Sequence, residues 1–160
     1  MNRPASIYPP AAGTAQLPSW LRWLALLALC AAYLQGGLVK AMDFAAAVGE
    51  MQHFGLAPAA PLAAAVIMLE LGASLMILSG FYRWLGALSL AAFTLAATFL
   101  ANRFWAAPPA EQFMLANAFF EHIGLAGGFV LVAWEDINRR AAARAMKWAD
   151  APARQPGNPH

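Results

Sequence analysis

The chain has 160 residues, of which 61% are hydrophobic and only 11% are charged. Soluble domains carry about 25% charged residues, so this composition is typical of a membrane protein. The net charge of +2 is too small to indicate a nucleic-acid partner, and the length allows one folded domain.

The first 18 residues contain four prolines and show no apolar periodicity. Such a segment cannot bury enough apolar surface to fold by itself. The sequence therefore predicts a disordered cytoplasmic tail over residues 1–18.

Four apolar segments follow, and each is long enough to cross a bilayer, which takes about 20 helical residues. They cover approximately residues 20–38, 62–80, 84–101 and 113–134. Glycine, proline or arginine residues separate each segment from the next, as expected of turns. We therefore predict an all-α fold, a membrane bundle of four transmembrane helices within residues 19–135.

After the fourth segment the chain reads "EDINRRAAARAMKWAD" over residues 135–150. This composition predicts a basic cytoplasmic helix and tail over residues 136–160. The helix either lies on the inner membrane surface or simply continues the fourth span into solvent, and the sequence favours neither.

The basic residues predict the orientation, because Lys and Arg near span ends are retained on the cytoplasmic side. With this arrangement of spans, eight of the ten fall on one side, and only Lys40 and Arg103 fall on the other. Both termini should therefore be cytoplasmic. We expect a multi-pass protein in contact with the lipid bilayer of the plasma membrane, which in a bacterium is the inner membrane.

Cysteine usage excludes several redox functions. Because Cys30 is the single cysteine, the chain cannot form an internal disulfide, a C-x-x-C pair, a C-x-x-C-H haem attachment or a cysteine-ligated iron–sulfur cluster. The sequence also has no nucleotide-binding glycine loop, and we predict no metal site.

Several polar residues are predicted at membrane depth in the outer half of the bundle. Glu70 and His122 each lie nine residues inside the outer end of their helices, so they should share a layer about 13 Å deep. Thr98 and Gln35 come from the third and first helices. Glu121 is adjacent to His122 and therefore points about 100° away from it.

Glu70 has two interpretations. A carboxylate near the bilayer centre costs roughly 2.5 to 3.5 kcal/mol and usually marks a pathway or binding site. Alternatively, Glu70 hydrogen-bonds across the bundle in a purely structural role. His122 likewise is either a functional group or a buried neutral imidazole with one partner, and Thr94 and Thr98 are expected to bond their own helix backbone.

The order and spacing of four motifs resemble the DoxX family of small four-helix membrane proteins, over residues 20–134. The motifs are "GGLVKAMD" at residues 36–43, "MLELGASLMILSGFYRWLGAL" at 68–88, "NRFW" at 102–105 and "FFEHIGLAGG" at 119–128. The resemblance implies the fold firmly. It implies a reaction only loosely, through a founding subunit linked to thiosulfate oxidation with quinone as the electron acceptor.

Position by position, Lys40 and Glu70 match the lysine and glutamate that are usual in the family's first two helices. Asn102 stands where the family's H-x-F-W motif has histidine. Glu121 and His122 stand where a lysine and an asparagine are common. These departures suggest that the imidazole has moved across the bundle.

The resemblance and the polar layer together suggest a membrane subunit of a quinone-linked oxidoreductase. Glu70 and His122 are the candidate catalytic residues, and the candidate quinone-binding residues are Lys40, Gln35, Thr98, Asn102, Trp105 and Glu121. Quinone is the cofactor considered, whereas a haem between His53 and His122 is not favoured. A protein partner in a redox complex would supply the electrons, and a homo-oligomer is also open.

Two other classes of function stay open. The chain could be a non-catalytic membrane anchor or assembly factor whose basic tail binds a cytoplasmic partner. It could also be a small transporter subunit that uses Glu70 as a proton or cation site.

Overall fold

The computed structural model describes residues 17–149, and these form five α-helices and one 3₁₀ turn. The helices are α1 (Ser19–Met42), α2 (Phe44–His53), α3 (Ala59–Ser79), α4 (Arg83–Ala101) and α5 (Pro109–Ala149), and the turn is Phe104–Ala106. Among the described residues there is no strand. Four helices, α1, α3, α4 and α5, are long and apolar enough to cross a membrane, which confirms the predicted all-α bundle of four spans. Except for Leu17 and Pro18, the predicted N-terminal tail lies outside the described residues, as do residues 150–160.

The four long helices pack in sequence, with α1 against α3, α3 against α4, and α4 along α5, while α1 and α5 meet at fewer points. The core between them is built from Leu26, Cys30, Ile77, Leu90 and Phe129, all of them buried. These side chains come from all four spans. The apolar core therefore holds the helices together in the half of the bundle where α1 begins.

The short helix α2 was not predicted. Asp43 ends α1 and begins α2, because its side chain accepts a hydrogen bond of 3.0 Å from the backbone N–H of Ala46. The buried Ala47 and Met51 of α2 pack against Ala63 near the start of α3. The connection between the first two spans therefore folds back over the end of the bundle.

The turn between α3 and α4 brings two backbones close together. Gly80 has φ of +82° and Tyr82 has φ of +47°, so the chain reverses within three residues. A Cβ atom on Gly86 would lie 2.7 Å from the carbonyl oxygen of Ala73. Glycine at position 86 is therefore what allows α4 to approach α3.

Helix α5 has 41 residues without a break. At 1.5 Å per residue it is about 60 Å long, roughly twice the 30 Å hydrocarbon thickness of a bilayer. Its apolar part ends at Trp134, and the charged residues from Glu135 continue the same helix. The segment after Trp134 thus extends the fourth span, which favours the second interpretation of the basic helix; the orientation of the termini stays a prediction.

Charged side chains are paired at the end of the bundle where α1, α4 and the extension of α5 meet. We call this the basic end, and its members are Arg22, Arg83, Glu135, Asp136, Arg139 and Arg140. Glu135 pairs with Arg22 at 3.0 Å and with Arg139 at 2.7 Å. Because Arg22 donates a hydrogen bond to it, the pKa of Glu135 lies below its ordinary value.

The buried carboxylate of Asp136 joins α5 to α4. It accepts a hydrogen bond of 2.7 Å from Arg140 and one of 3.3 Å from the backbone N–H of Trp84 in the first turn of α4. Arg140 also reaches the carbonyl oxygen of Gly80, and Arg83 reaches that of Ile77. At this end, charged side chains therefore form hydrogen bonds with backbone groups at the ends of α3 and α4.

Candidate functional site

A buried ion pair between α1 and α3 lies at the centre of the candidate site. Glu70 of α3 is only 5% exposed. Lys40, in the last turn of α1, places its Nζ atom 3.2 Å from Oε1 and 3.4 Å from Oε2 of Glu70. A Cβ atom on Gly36 would lie 3.5 Å from that Nζ, an ordinary van der Waals distance, so Gly36 borders the pair. Lys40 and Glu70 are thus brought together by the crossing of α1 and α3.

Neighbouring hydrogen bonds hold the helices around this pair. Ser74 donates to the backbone carbonyl of Glu70 at 2.6 Å, and Thr94 donates to the carbonyl of Leu90, also at 2.6 Å. The hydroxyl of the buried Tyr33 forms a hydrogen bond with that of Thr94. The expected backbone bond of Thr94 is therefore confirmed, and Tyr33 links α1 to α4 below the ion pair.

The ion pair lines a cavity of about 460 Å³, which we call the Glu70 cavity. This volume lies within the range of roughly 300 to 1,000 Å³ of small-molecule sites. All five helices contribute to its wall. The polar lining residues are Tyr33, Lys40, Glu50, Glu70, Thr94, Asn102, Glu121 and His122.

A second cavity of about 300 Å³ adjoins the first. The two share Lys40, Glu50, Phe93, Ala97 and Ala101 in their walls. Apart from Lys40 and Glu50, the second cavity is lined by apolar side chains of α2, α3, α4 and the loop after α2. The charged Glu70 cavity and the second, apolar cavity thus lie side by side. We call the second one the apolar chamber, and Lys40 and Phe93 line both.

The charges of the Glu70 cavity are unequal. Its lining holds three carboxyl groups, Glu50, Glu70 and Glu121, against one ammonium, Lys40. His122 is half-buried and its Nδ1 donates to the carbonyl oxygen of Ala118 at 2.6 Å. Since a carbonyl can only accept, Nδ1 carries a proton, and Nε2 is the ring nitrogen that can accept or release one. The cavity therefore contains both hydrogen-bond donors and groups able to exchange protons.

The structure brings together five of the eight candidate residues. Lys40, Glu70, Asn102, Glu121 and His122 all line the Glu70 cavity. The adjacent Glu121 and His122 both reach it, because the cavity is wide enough to accommodate the 100° between them.

The other three candidates are not in the cavity wall. Gln35 is exposed on α1, since five residues from Lys40 correspond to about 140° around a helix. Thr98 is buried and accepts a hydrogen bond of 3.1 Å from the amide of Asn102, so it supports a lining residue. Trp105 is 53% exposed in the 3₁₀ turn.

Among the polar lining residues, sequence reasoning missed Tyr33 and Glu50. Tyr33 precedes Lys40 by seven residues, which places both on one face of α1, so a helical-face argument could have found it. Glu50 was expected in an outward-facing connection. It reaches the cavity because α2 folds back over the bundle.

The aromatic residues considered as flanks for a quinone ring form a separate cluster. Phe99, Phe104, Trp105, Phe119 and Phe120 contact one another with ring centroids 5.1 to 6.4 Å apart. None of them lines either cavity; the aromatic lining residues are Phe93 in both cavities, Tyr33 in the Glu70 cavity and Phe54 in the second cavity. His53 does not line the Glu70 cavity with His122.

Comparison with protein families gives one match, to the DoxX family over residues 21–103. The matched segment contains most of α1 and all of α2, α3 and α4, and therefore Lys40, Glu50 and Glu70, whereas Glu121 and His122 lie beyond it. Searches of curated proteins and of solved structures found no match. Since the family match covers more than half of the chain and four helices can span a membrane, this protein is a multi-pass membrane protein of the DoxX family.

Proposed function

We propose that the chain is the membrane subunit of a quinone-linked oxidoreductase and that the Glu70 cavity binds the quinone headgroup. The observation that carries this proposal is the buried Lys40–Glu70 pair in the wall of a cavity that adjoins an apolar chamber. The family resemblance, through its link to quinone as an electron acceptor, supports the same chemistry.

The two chambers suit a ligand with a polar head and an apolar body. A quinone headgroup has two carbonyl oxygens that accept hydrogen bonds, and it carries a long apolar tail. Lys40 can donate to one carbonyl oxygen, while Phe93 at the junction offers an aromatic surface to the ring. The tail would lie along the apolar residues of the second cavity, Met51, Leu56, Val66 and Leu100.

Reduction of a quinone to a quinol consumes two electrons and two protons. The electrons would come from a donor on a partner protein. Glu70 and His122 are the groups of this chain that can hold a proton near the headgroup and release it to a carbonyl oxygen. Glu50 and Glu121, in the same wall, could return protons to them.

One observation favours a second candidate, a proton or cation site of a small transporter. Three carboxyl groups line one cavity against a single ammonium group, and intramembrane carboxylates mark cation pathways in many transporters. This candidate does not account for the apolar chamber, because an ion would gain no favourable contacts from its apolar walls. We therefore rank it second.

The test uses the full chain in bacterial membranes with its partner proteins present. A photoactivatable quinone should label α1, α3 or α4 residues of the two cavities, and excess natural quinone should abolish the labelling. Glu70→Gln should fold yet lose at least tenfold in quinone reduction. The matched control is Glu111→Gln, which removes an exposed carboxylate of α5 outside both cavities.

Full quinone reduction by Glu70→Gln, or labelling that excess quinone does not compete, would contradict the quinone proposal. Proton or cation uptake into vesicles that contain the purified chain, lost in Glu70→Gln but not in Glu111→Gln, would instead establish the transporter.

A further inference from the structure

A pocket of about 340 Å³ lies at the basic end, at the opposite side of the chain's core from the Glu70 cavity. Its basic lining residues come from three helices: Arg22 from α1, Arg83 from the start of α4 and Arg139 from α5. Its apolar lining residues are Leu17, Trp23 and Leu26. We call it the arginine pocket. The proposed oxidoreductase function makes no use of it.

The pocket has an excess of positive charge. Of the acidic side chains around it, Glu135 pairs with Arg22 and with Arg139. Asp136 is occupied by Arg140 and by the backbone of α4. Three guanidinium groups of the lining thus face one available carboxylate, and an anion would balance the remainder.

Arg22 provides a second, independent indication of a ligand. Its side chain is only 18% exposed, and Nη2 donates to Glu135 at 3.0 Å. Its Nε atom is fully buried and has no hydrogen-bond partner within the described part of the chain. Buried donors are nearly always satisfied, and an unsatisfied one requires an explanation such as a bound ion or ligand.

The apolar side of the pocket points to a lipid as the source of the anion. Trp23 is 48% exposed, and the nearby Trp20 is 63% exposed, as is typical of tryptophans at a membrane interface. Trp23 and Leu26 therefore offer an apolar surface, continuous with the bilayer, next to the three arginines. A free phosphate ion makes no favourable contact with this apolar surface, whereas the acyl chains of a phospholipid can pack against it.

We propose that the arginine pocket binds the phosphate group of an anionic phospholipid, with an acyl chain against Trp23 and Leu26. The phosphodiester oxygens accept hydrogen bonds from the guanidinium groups of Arg22, Arg83 and Arg139, and a small rotation of the Arg22 side chain on binding gives its buried Nε an acceptor. Basic pockets between transmembrane helices bind lipid headgroups in this way. The bound lipid would join α1, α4 and α5 at this end of the bundle.

Native mass spectrometry of the full chain in mild detergent tests the proposal, with phosphatidylglycerol and phosphatidylcholine of identical acyl chains as probes. One phosphatidylglycerol should bind in preference to phosphatidylcholine. Arg139→Gln, which changes a half-exposed side chain, should weaken phosphatidylglycerol binding roughly fivefold. Arg83→Gln should do the same. The matched control is Arg144→Gln, which removes the same charge from an exposed position of α5 outside the pocket.

Each other outcome overturns the proposal. Equal weakening by Arg144→Gln and Arg139→Gln would show diffuse attraction rather than a site. Displacement of the lipid by millimolar inorganic phosphate would show an ion site without a lipid component. Equal binding of phosphatidylglycerol and phosphatidylcholine would show that the pocket does not select an anionic lipid. If Arg83→Gln does not fold, Arg139→Gln and Arg144→Gln decide the matter by themselves.

Discussion

At the basic end, the Asp136 carboxylate accepts hydrogen bonds from Arg140 and from the backbone of Trp84. At the Glu70 cavity, by contrast, the Glu70 carboxylate is met by Lys40 as its one hydrogen-bonding side chain among residues 17–149. Both carboxylates are buried. The first is satisfied by partners that also fix helix ends, while the second lies beside an open volume of about 460 Å³.

The difference is the one that the proposed function requires between a structural charge and a charge at a ligand site. Charges whose partners are all within the protein hold elements together and leave nothing for a ligand. A buried ion pair beside a cavity contributes little net stability, because desolvation opposes the attraction. Under the proposed function, the Lys40–Glu70 pair is retained because its groups contact the quinone headgroup. Substitutions at the Glu70 cavity and at the basic end test this difference between the two buried carboxylates.

The largest effect is expected at the Glu70 cavity. Lys40→Met leaves the buried Glu70 carboxylate without its cation, and breaking a buried pair costs roughly 3 to 5 kcal/mol. The free energy of unfolding, measured by titration with SDS in mixed micelles, should fall by about that amount. The double variant Lys40→Met with Glu70→Met should recover most of the stability, since no charge is left buried, yet it should not reduce quinone. A double variant as unstable as the single one would show that the pair itself stabilises the bundle.

A smaller effect is expected from Asp136→Ala at the basic end. The substitution leaves the Trp84 N–H and Nε of Arg140 without their acceptor, which costs roughly 1 to 3 kcal/mol. The free energy of unfolding should fall while quinone binding to the remaining folded protein is unchanged. The exposed Asp43 offers a control, because it also accepts from a backbone N–H, that of Ala46; Asp43→Ala should cost about 1 kcal/mol. Loss of quinone binding by folded Asp136→Ala would erase the distinction between the two ends.

Helix packing near the basic end should respond next. In Gly86→Ala the added methyl group would meet the carbonyl oxygen of Ala73 at 2.7 Å and Cβ of Met76 at 2.9 Å. Neither neighbour is the mobile tip of a side chain, so α3 and α4 must separate, at a cost of roughly 1 to 3 kcal/mol. Gly72→Ala is the matched control, because a methyl group added there would have nothing within 4 Å, and it should be neutral or slightly stabilising. Equal effects of the two substitutions would rule out close approach as the role of Gly86.

The sequence predicted the spans because the membrane requires long apolar helices and the chain has few other apolar segments. It missed α2, whose ten residues are too short for a span and include Gly49. Asp43, a favourable N-cap residue, was the available signal. The sequence also contains a G-x-x-x-G pair at Gly124 and Gly128, a pattern typical of close helix crossings, but a methyl group added at Gly124 would have nothing within 4 Å. The closest approaches are at Gly37 and Gly86, where an added Cβ atom would lie 2.8 Å from Leu71 and 2.7 Å from the carbonyl oxygen of Ala73, because the neighbours of a helix determine which of its faces is buried.

Part of the candidate site could also be predicted from the sequence. Lys40 and Glu70 follow from family position and helix depth, and the structure places them in contact. The presence of Glu50 in the cavity depends on the path of α2, which no local pattern encodes. Gln35 was named for its polarity and depth, although its angular position on α1 directs it away from Lys40.

The smallest effect is expected at the exposed pairs of Glu135. Arg22 donates to this carboxylate, and together with Arg139 it lowers the pKa of Glu135 below the ordinary value of 4.5. A carboxylate with a lowered pKa stabilises the folded state above its unfolded pKa, and this contribution disappears as the pH falls through the folded pKa. The melting temperature in detergent should therefore decrease between about pH 5 and pH 3, by slightly less in Glu135→Gln than in the natural chain. The difference should be small, since exposed pairs contribute roughly 0 to 1 kcal/mol, and 0.5 M salt should reduce it further. A large acid-dependent loss that Glu135→Gln removes would show that this end depends on a single pair rather than on the network that includes Asp136 and Arg140.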